Sequence, residues 1–572
     1  MFSLFAGRLV QLQGLDAGTY RGLARQMRLH TFHFPALRGT ITAANGQVLA
    51  MTVQTYLVFA DPVEMTAQQM PQVAAALAGP LGMPAAAILN LIRHPTSPQY
   101  VVLKRGVPQQ AANQIASLRL PGSRQHHLDH LPGIAMTPGY ARTYPDGDAV
   151  SNLLGFTSTD AAGNLVGEAG IERAYNSLLA GRPGVEEAQV STDGQPIPLA
   201  VGKDTAAVNG SGLRLTIIPA LQWEAQQACA AKVKEADADN CTVVVMQPHT
   251  GRILAMAQWP AYDPAHPSGI ASTSDLAVQD VFTPGSTAKV ITAAAALERG
   301  GQTPDSTYTV PDQITWHGFH FHDAEYHPTE KLTINGILAN SSNVGMVQVA
   351  QHVTPQTQYG YFRAFGIGEP AGLGLPGASP GLLPPPSQWW GDERYTLAFG
   401  QGVAVNAVQM ASVYATIANG GVRVQPTLVE GTTNGAGRYV PAPPPPSRRV
   451  ITAKTAHELI AALQQVPAVD AQAAQPWGVI PGYAVAAKTG TSQEWDSQRK
   501  CLCMYGASYI GMAPGNDPQL VAAVNVQNPR KGGYYGDMVA GPVFSQVMKF
   551  ALQTMKIPPD GAVPAHVPLT AP

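Results

Sequence analysis

Two periodicities divide the chain. Apolar residues at helical spacing mark helices over 71–78, 109–118, 219–236, 290–297 and 539–555. Short apolar runs bounded by Gly, Pro and Asn mark strands over 213–218, 242–246, 253–257 and 483–487. Pro71 suits a first helical position. Asn45-Gly46 between apolar alternations is a hairpin signal, and Pro248-His249-Thr250-Gly251 joins 242–246 to 253–257 as a second hairpin. Residues 332–353 read as helix, polar turn, helix. Residues 1–34 read as a helical stub. Residues 50–205 alternate strand-like and helix-like pieces, and the composition shifts near 206. The segment 441–446 is a stiff proline loop, and the proline-rich tail 558–572 is expected to be disordered.

A chain of 572 residues exceeds one ordinary core, so two or three domains are expected. A net charge of −2 gives no reason to expect a nucleic-acid partner. With 13% charged residues, 57 Gly and 49 Pro, the chain is globular and loop-rich. Cys229, in a helix, and Cys241, opening a strand, can form a disulfide outside the cell or remain two buried thiols. Cys501 and Cys503 alternate on a strand and face one side. His320 and His322 share a strand face beside Asp323, within a group that includes His317 and His327. That is a conceivable zinc set, although the chemistry below needs no metal or other cofactor.

That chemistry begins at Phe282-Thr283-Pro284-Gly285-Ser286-Thr287-Ala288-Lys289. Pro284 and Gly285 break the preceding structure, so Ser286 falls at the first turn of the 290–297 helix, with Lys289 one turn along the same face. A serine hydroxyl needs a base, and a lysine serves if burial and positive neighbours keep it neutral. Ser497 and Lys500 repeat the Ser-x-x-Lys spacing, but in a polar stretch with no apolar helix after it. Two further stretches add to the first: Ser341-Ser342-Asn343 in the polar turn, and Lys488-Thr489-Gly490-Thr491 after a strand. Ser-x-x-Lys, Ser-x-Asn and Lys-Thr-Gly in this order resemble the class B penicillin-binding proteins, monofunctional D,D-transpeptidases of peptidoglycan synthesis. The N-terminal pieces around Arg38-Gly39, Arg142-Thr143-Tyr144-Pro145 and Gly167 to Asn176 are similar to that family's N-terminal module. Ala43-Ala44, Ala378, Asn406-Ala407 and Ala487 depart from its usual residues.

The resemblance implies an α/β (α+β) fold: a penicillin-binding/serine β-lactamase-like domain with a central antiparallel sheet flanked by helices, over 206–557. An elongated α+β pedestal and dimerisation domain over 35–205 precedes it. It also implies roles. Ser286 is the nucleophile and Lys289 its base. Ser341 relays a proton, Asn343 orients Lys289 and the substrate amide, and Lys488 supplies fixed charge. Thr489, Gly490 and Thr491 bind substrate, and the Ser286 and Thr491 N–H groups form an oxyanion hole. Expected partners are stem peptides, their lipid-linked precursor, β-lactams, a membrane glycan polymerase and other wall-synthesis proteins. Phe5 to Gln13 resembles the end of the family's anchor helix. The expected location is therefore the outer face of the bacterial plasma membrane, by an anchor largely missing from this sequence. A division role is favoured over elongation.

Rival readings are a D,D-carboxypeptidase or β-lactamase, which pass the acyl group to water, and an inactive scaffold or β-lactam sensor. A β-lactamase has no use for the N-terminal module. A sensor needs signalling segments, and a scaffold is expected to have a decayed trio.

Overall fold

The computed structural model describes residues 5, 8, 11–15, 18, 29–95, 97–120, 131–160, 162–190, 196–267, 273–435, 437–472, 477–561 and 563–571. Most of the amphiphilic start lies outside them. Among the described residues no helix is long and apolar enough to cross a membrane. The helical reading of 1–34 is corrected at its end. Leu29–Phe34 is a strand, antiparallel to Gly184–Val190, which in turn pairs with Pro196–Thr205.

The pedestal is built on a seven-stranded sheet. Val48–Ala60 is its long central strand, paired with both Val101–Pro108 and Ile134–Thr143. Asn45-Gly46 makes the expected turn into it, with Gly46 at φ +86. Helices Gln69–Leu81, Ala85–Arg93 and Gln109–Ser117 cover part of this sheet with Val73, Leu77, Ile88 and Ile115. Pro71 is the third residue of its helix and not the first, still within the turn whose N–H groups lack intrahelical partners. Three charges from separate motifs meet in the interior. Glu172 accepts from Arg38 Nε and Arg142 Nε, each at 2.6 Å, with all three side chains at most 1% exposed.

The sheet crosses the expected boundary at 205. Gly212–Leu215 pairs parallel to Ile41–Thr42 and antiparallel to Val429–Thr433, which pairs with Tyr439–Pro441. The 213–218 strand therefore completes the pedestal sheet, along with two strands from deep within the second half of the chain.

The second sheet has five strands, all antiparallel, in the order Ile253–Trp259, Asn240–Met246, Leu520–Gln527, Cys501–Ala513, Ala486–Asp496. Both faces are buried along Asn240–Met246, Ile253–Trp259 and Leu520–Gln527, so these strands are largely apolar, while the edge strand Ala486–Asp496 is mostly polar beyond Ala487. Val243, Val245 and Tyr509 face a core shared with helices Pro219–Ala236 and Gly536–Thr554. Val244, Met246 and Ile510 face a second core with Lys289–Arg299 and Ala407–Ala418. Asn406 caps the latter helix in a reciprocal capping box with Gln409, which accounts for Asn406-Ala407. Disulfides join Cys229 to Cys241 and Cys501 to Cys503.

The described residues of the tail, 558–561 and 563–571, hold defined contacts. Thr333 N–H donates to Leu569 O at 3.0 Å, Ala571 N–H to Lys331 O at 2.9 Å, and Gln465 Nε2 to Ala565 O at 2.6 Å. The chain end thus adds to the edge of the Glu330–Thr333 strand, which pairs on its other side with Thr307–Val310.

Candidate active site

Ser286 sits in a 3-10 turn, Gly285–Ala288, that feeds directly into the α-helix Lys289–Arg299. The approach is anchored on several sides. Phe282 and Val405 exchange backbone hydrogen bonds at 2.9 Å, Gly285 N–H donates to Gly400 O at 3.1 Å, and Tyr414 OH donates to Thr287 O at 2.9 Å. Gly400, at φ +81, is required here, because a Cβ on it would lie 2.0 Å from Gly285 O.

Lys289 is completely buried. Its ammonium nitrogen donates to the Ser341 carbonyl and lies 3.4 Å from Ser341 Oγ. Burial pushes its pKa well below the ordinary lysine value; Lys488 pushes it further down, and Asp323 opposes both. Ser341 holds a left-handed backbone, φ +59, uncommon for a residue with a Cβ. It follows the Ile334–Ala339 helix, and Ser342 caps the Asn343–Ala350 helix by accepting from Gly345 N–H at 2.8 Å. Asn343 Nδ2 donates to His322 O at 3.1 Å, so its amide holds the neighbouring hairpin and not Lys289.

The third stretch lies inside the strand Ala486–Asp496, which begins later than the 483–487 reading and runs through it at the sheet edge. Lys488 is also completely buried, its Nζ 3.3 Å from Thr489 O and Oγ1. Thr491 Oγ1 accepts from Gly536 N–H at 3.1 Å. A Cβ on Gly490 would lie 2.3 Å from Ser508 Oγ and 2.9 Å from Pro284 O. Gly490 is therefore needed so that the nucleophile turn can press against the strand. Ala487 pairs with Gly511, whose missing Cβ leaves it the room.

Ser286, Ser341, Asn343, Thr489 and Thr491 open together on a cleft of about 590 Å³. Lys289, Lys488 and Gly490 stand behind its wall. Ser497 and Lys500 lie at the far hairpin end of the same strand pair, away from this cleft. His320 Nδ1 is bonded to Thr315 Oγ1 and His322 Nδ1 to the Asp323 carbonyl, and among the described residues no three metal-ligating side chains converge. Two contributions went unread in the sequence. Asp323, read there only beside a conceivable zinc set, anchors the turn that follows Ser341, and Tyr534 packs between Tyr505 and Tyr535, of which Tyr535 lines the cleft. Neither carries a local motif.

A serine one turn from a buried lysine whose pKa is pushed down, under a lysine-bearing edge strand, defines the serine acyl-transferases that penicillin inhibits. Residues 241–549 match the penicillin binding protein transpeptidase domain, and residues 33–215 the penicillin-binding protein dimerisation domain. The chain is 32% identical to a probable peptidoglycan D,D-transpeptidase, PbpC, of Pseudomonas aeruginosa, over 97% of this chain and 93% of that one. It is 30% identical to the peptidoglycan D,D-transpeptidase FtsI of Escherichia coli, over 97% and 90%. It superposes on penicillin-binding protein 3 of Mycobacterium tuberculosis complexed with aztreonam with a TM-score of 0.70, at 27% identity, covering 94% of this chain and 100% of that one. The chain belongs to the class B penicillin-binding proteins. It is an enzyme of that family, a peptidoglycan D,D-transpeptidase acylated by β-lactams.

Proposed function

We propose that Ser286 Oγ attacks the penultimate D-alanyl carbonyl of a stem peptide and that Lys289, neutral in its buried site, takes the serine proton. The observation that carries this is the Lys289 environment: complete burial, with Lys488 opposed to its charged form and Ser341 within reach. Ser341 Oγ then passes its proton to the leaving D-alanine nitrogen and takes the serine proton back from Lys289, which returns to its neutral form. Lys488 holds positive charge behind the terminal carboxylate, which Thr489 and Thr491 bind by their hydroxyls; the Thr491 oxygen already accepts from Gly536, leaving its hydrogen to donate. The Ser286 and Thr491 N–H groups stabilise the tetrahedral oxyanion, a device worth ~3 kcal/mol per donor. Asn343 aligns the substrate backbone. An amine of a neighbouring stem then displaces the acyl group from Ser286.

The proposed setting is the outer face of the plasma membrane, at a lipid-linked substrate, with a membrane glycan polymerase supplying strands during division. The paired cysteines fit an oxidising compartment. The test is a fluorescent penicillin followed by peptide mapping. The label is expected on Ser286 and absent from Ser286→Ala; a label on another serine overturns the assignment.

A further inference from the structure

We propose that Asp323 is a positioning residue of this site: its carboxylate fixes the turn that presents Ser341 to Lys289 and sets a negative charge facing the buried Lys289. The inference rests on the acyl-transfer reading above. Asp323 follows the strand Phe319–His322, nearly twenty residues before Ser341. Its side chain is 8% exposed. Oδ1 accepts from Asn343 N–H at 2.5 Å and Val344 N–H at 2.9 Å; Oδ2 accepts from Ser342 Oγ at 2.6 Å and lies 3.0 Å from His327 Nε2. The first N–H groups of the Asn343–Ala350 helix have no intrahelical partner, so a carboxylate there meets both the free donors and the positive helix end. The same contacts fix Ser342, the cap of that helix, and so the start of the helix that follows Ser341 and its left-handed backbone.

The charge has a second effect. Lys289 is faced by Lys488 from the edge strand, which disfavours its protonated form, and by Asp323 from the hairpin side, which favours it. Asp323 is faced in turn by His327, while Glu325, Glu330 and Asp537 line the outer cleft. His327 is pulled down by desolvation but raised overall by the Pro328 carbonyl and Asp323. Removing the Asp323 charge takes away the attraction that opposes deprotonation of Lys289.

The experiment is the second-order rate of acylation by fluorescent penicillin against pH, with thermal melting of each variant. Asp323→Asn keeps an acceptor oxygen and loses the charge, so the acid limb moves to lower pH by roughly one unit. Asp323→Ala leaves the turn donors unmet, and the plateau rate falls roughly tenfold or more. In His327→Gln the acid limb persists, because Lys289 is the titrating group. A limb in Asp323→Asn superposable on wild type, or its loss in His327→Gln, overturns the electrostatic part. A wild-type plateau in folded Asp323→Ala overturns the positioning part. Failure of the underlying reading shows separately, as wild-type penicillin label mapping away from Ser286.

Discussion

Lys289 faces opposed demands from folding and from chemistry. Burial favours its neutral form, so in the pH range between its folded value and the ordinary lysine range the unfolded chain binds the extra proton. Stability therefore rises with pH across that window, and at neutral pH the residue costs folding energy. The same depression makes it a base. Acylation is expected to have an acid limb well below the ordinary lysine range, lost as Lys289 protonates. Lys289→Met keeps the volume without the amine. Its acylation rate should fall by about 10²–10⁴-fold, while its melting temperature stays level or rises because a buried polar group has gone. Stopped-flow acylation with thermal melting checks both; a variant that acylates normally removes Lys289 as the base. Ser286 and Lys289 were legible because their relation is one helical turn, written in local spacing. Asp323 was not, because no local pattern shows that a hairpin residue will cap a helix about twenty residues later. Asn343 was read by its motif, but its amide donates to His322 O, a carbonyl that only the folded hairpin brings to it.

At the scale of elements, the hairpin 242–246 and 253–257 of the catalytic sheet was legible because its strands are apolar and buried, whereas the central strand Leu520–Gln527 went unread and the edge strand Ala486–Asp496, mostly polar beyond Ala487, was placed too early. The chain end was not. Proline lacks the N–H that makes a ladder, so Pro558, Pro559, Pro564 and Pro568 argued for a loose tail. Yet an extended chain still offers carbonyls and its few N–H groups to an open strand edge. Thr333 Oγ1 donates to Pro568 O at 2.7 Å, Ala484 N–H donates to Asp560 Oδ1 at 2.8 Å, and a Cβ on Gly336 would lie 2.0 Å from Leu569 O. Gly336 belongs to the helix Ile334–Ala339 that leads straight to Ser341. Ending the chain after Ile557 should therefore cost about 2–4 kcal/mol, a few net hydrogen bonds. It should also slow acylation by loosening the Ser341 turn. Amide exchange at Thr333 and Gly336 should accelerate first. A truncated protein with unchanged exchange there would show that the tail rests on the surface without bracing it.

Over the whole molecule, the two domains read from sequence as a clean succession, because composition shifts near 206. The sheet register says otherwise. The pedestal sheet takes Gly212–Leu215, Val429–Thr433 and Tyr439–Pro441, and the latter two are separated from the pedestal by most of the catalytic fold. Unfolding the pedestal strips edge strands out of the catalytic half, so the two should melt together. The buried Arg38–Glu172–Arg142 group tests this from a distance. Glu172→Ala leaves two guanidinium groups buried without their carboxylate, a loss of about 3–5 kcal/mol. The expected outcome is one transition, shifted down, in which loss of penicillin labelling and loss of pedestal protection from protease coincide at the same temperature. Below it the acylation rate of the folded variant should match wild type, since Glu172 touches nothing in the cleft. Two separated transitions, with labelling surviving after the pedestal is cut, would show that the shared sheet does not couple the halves.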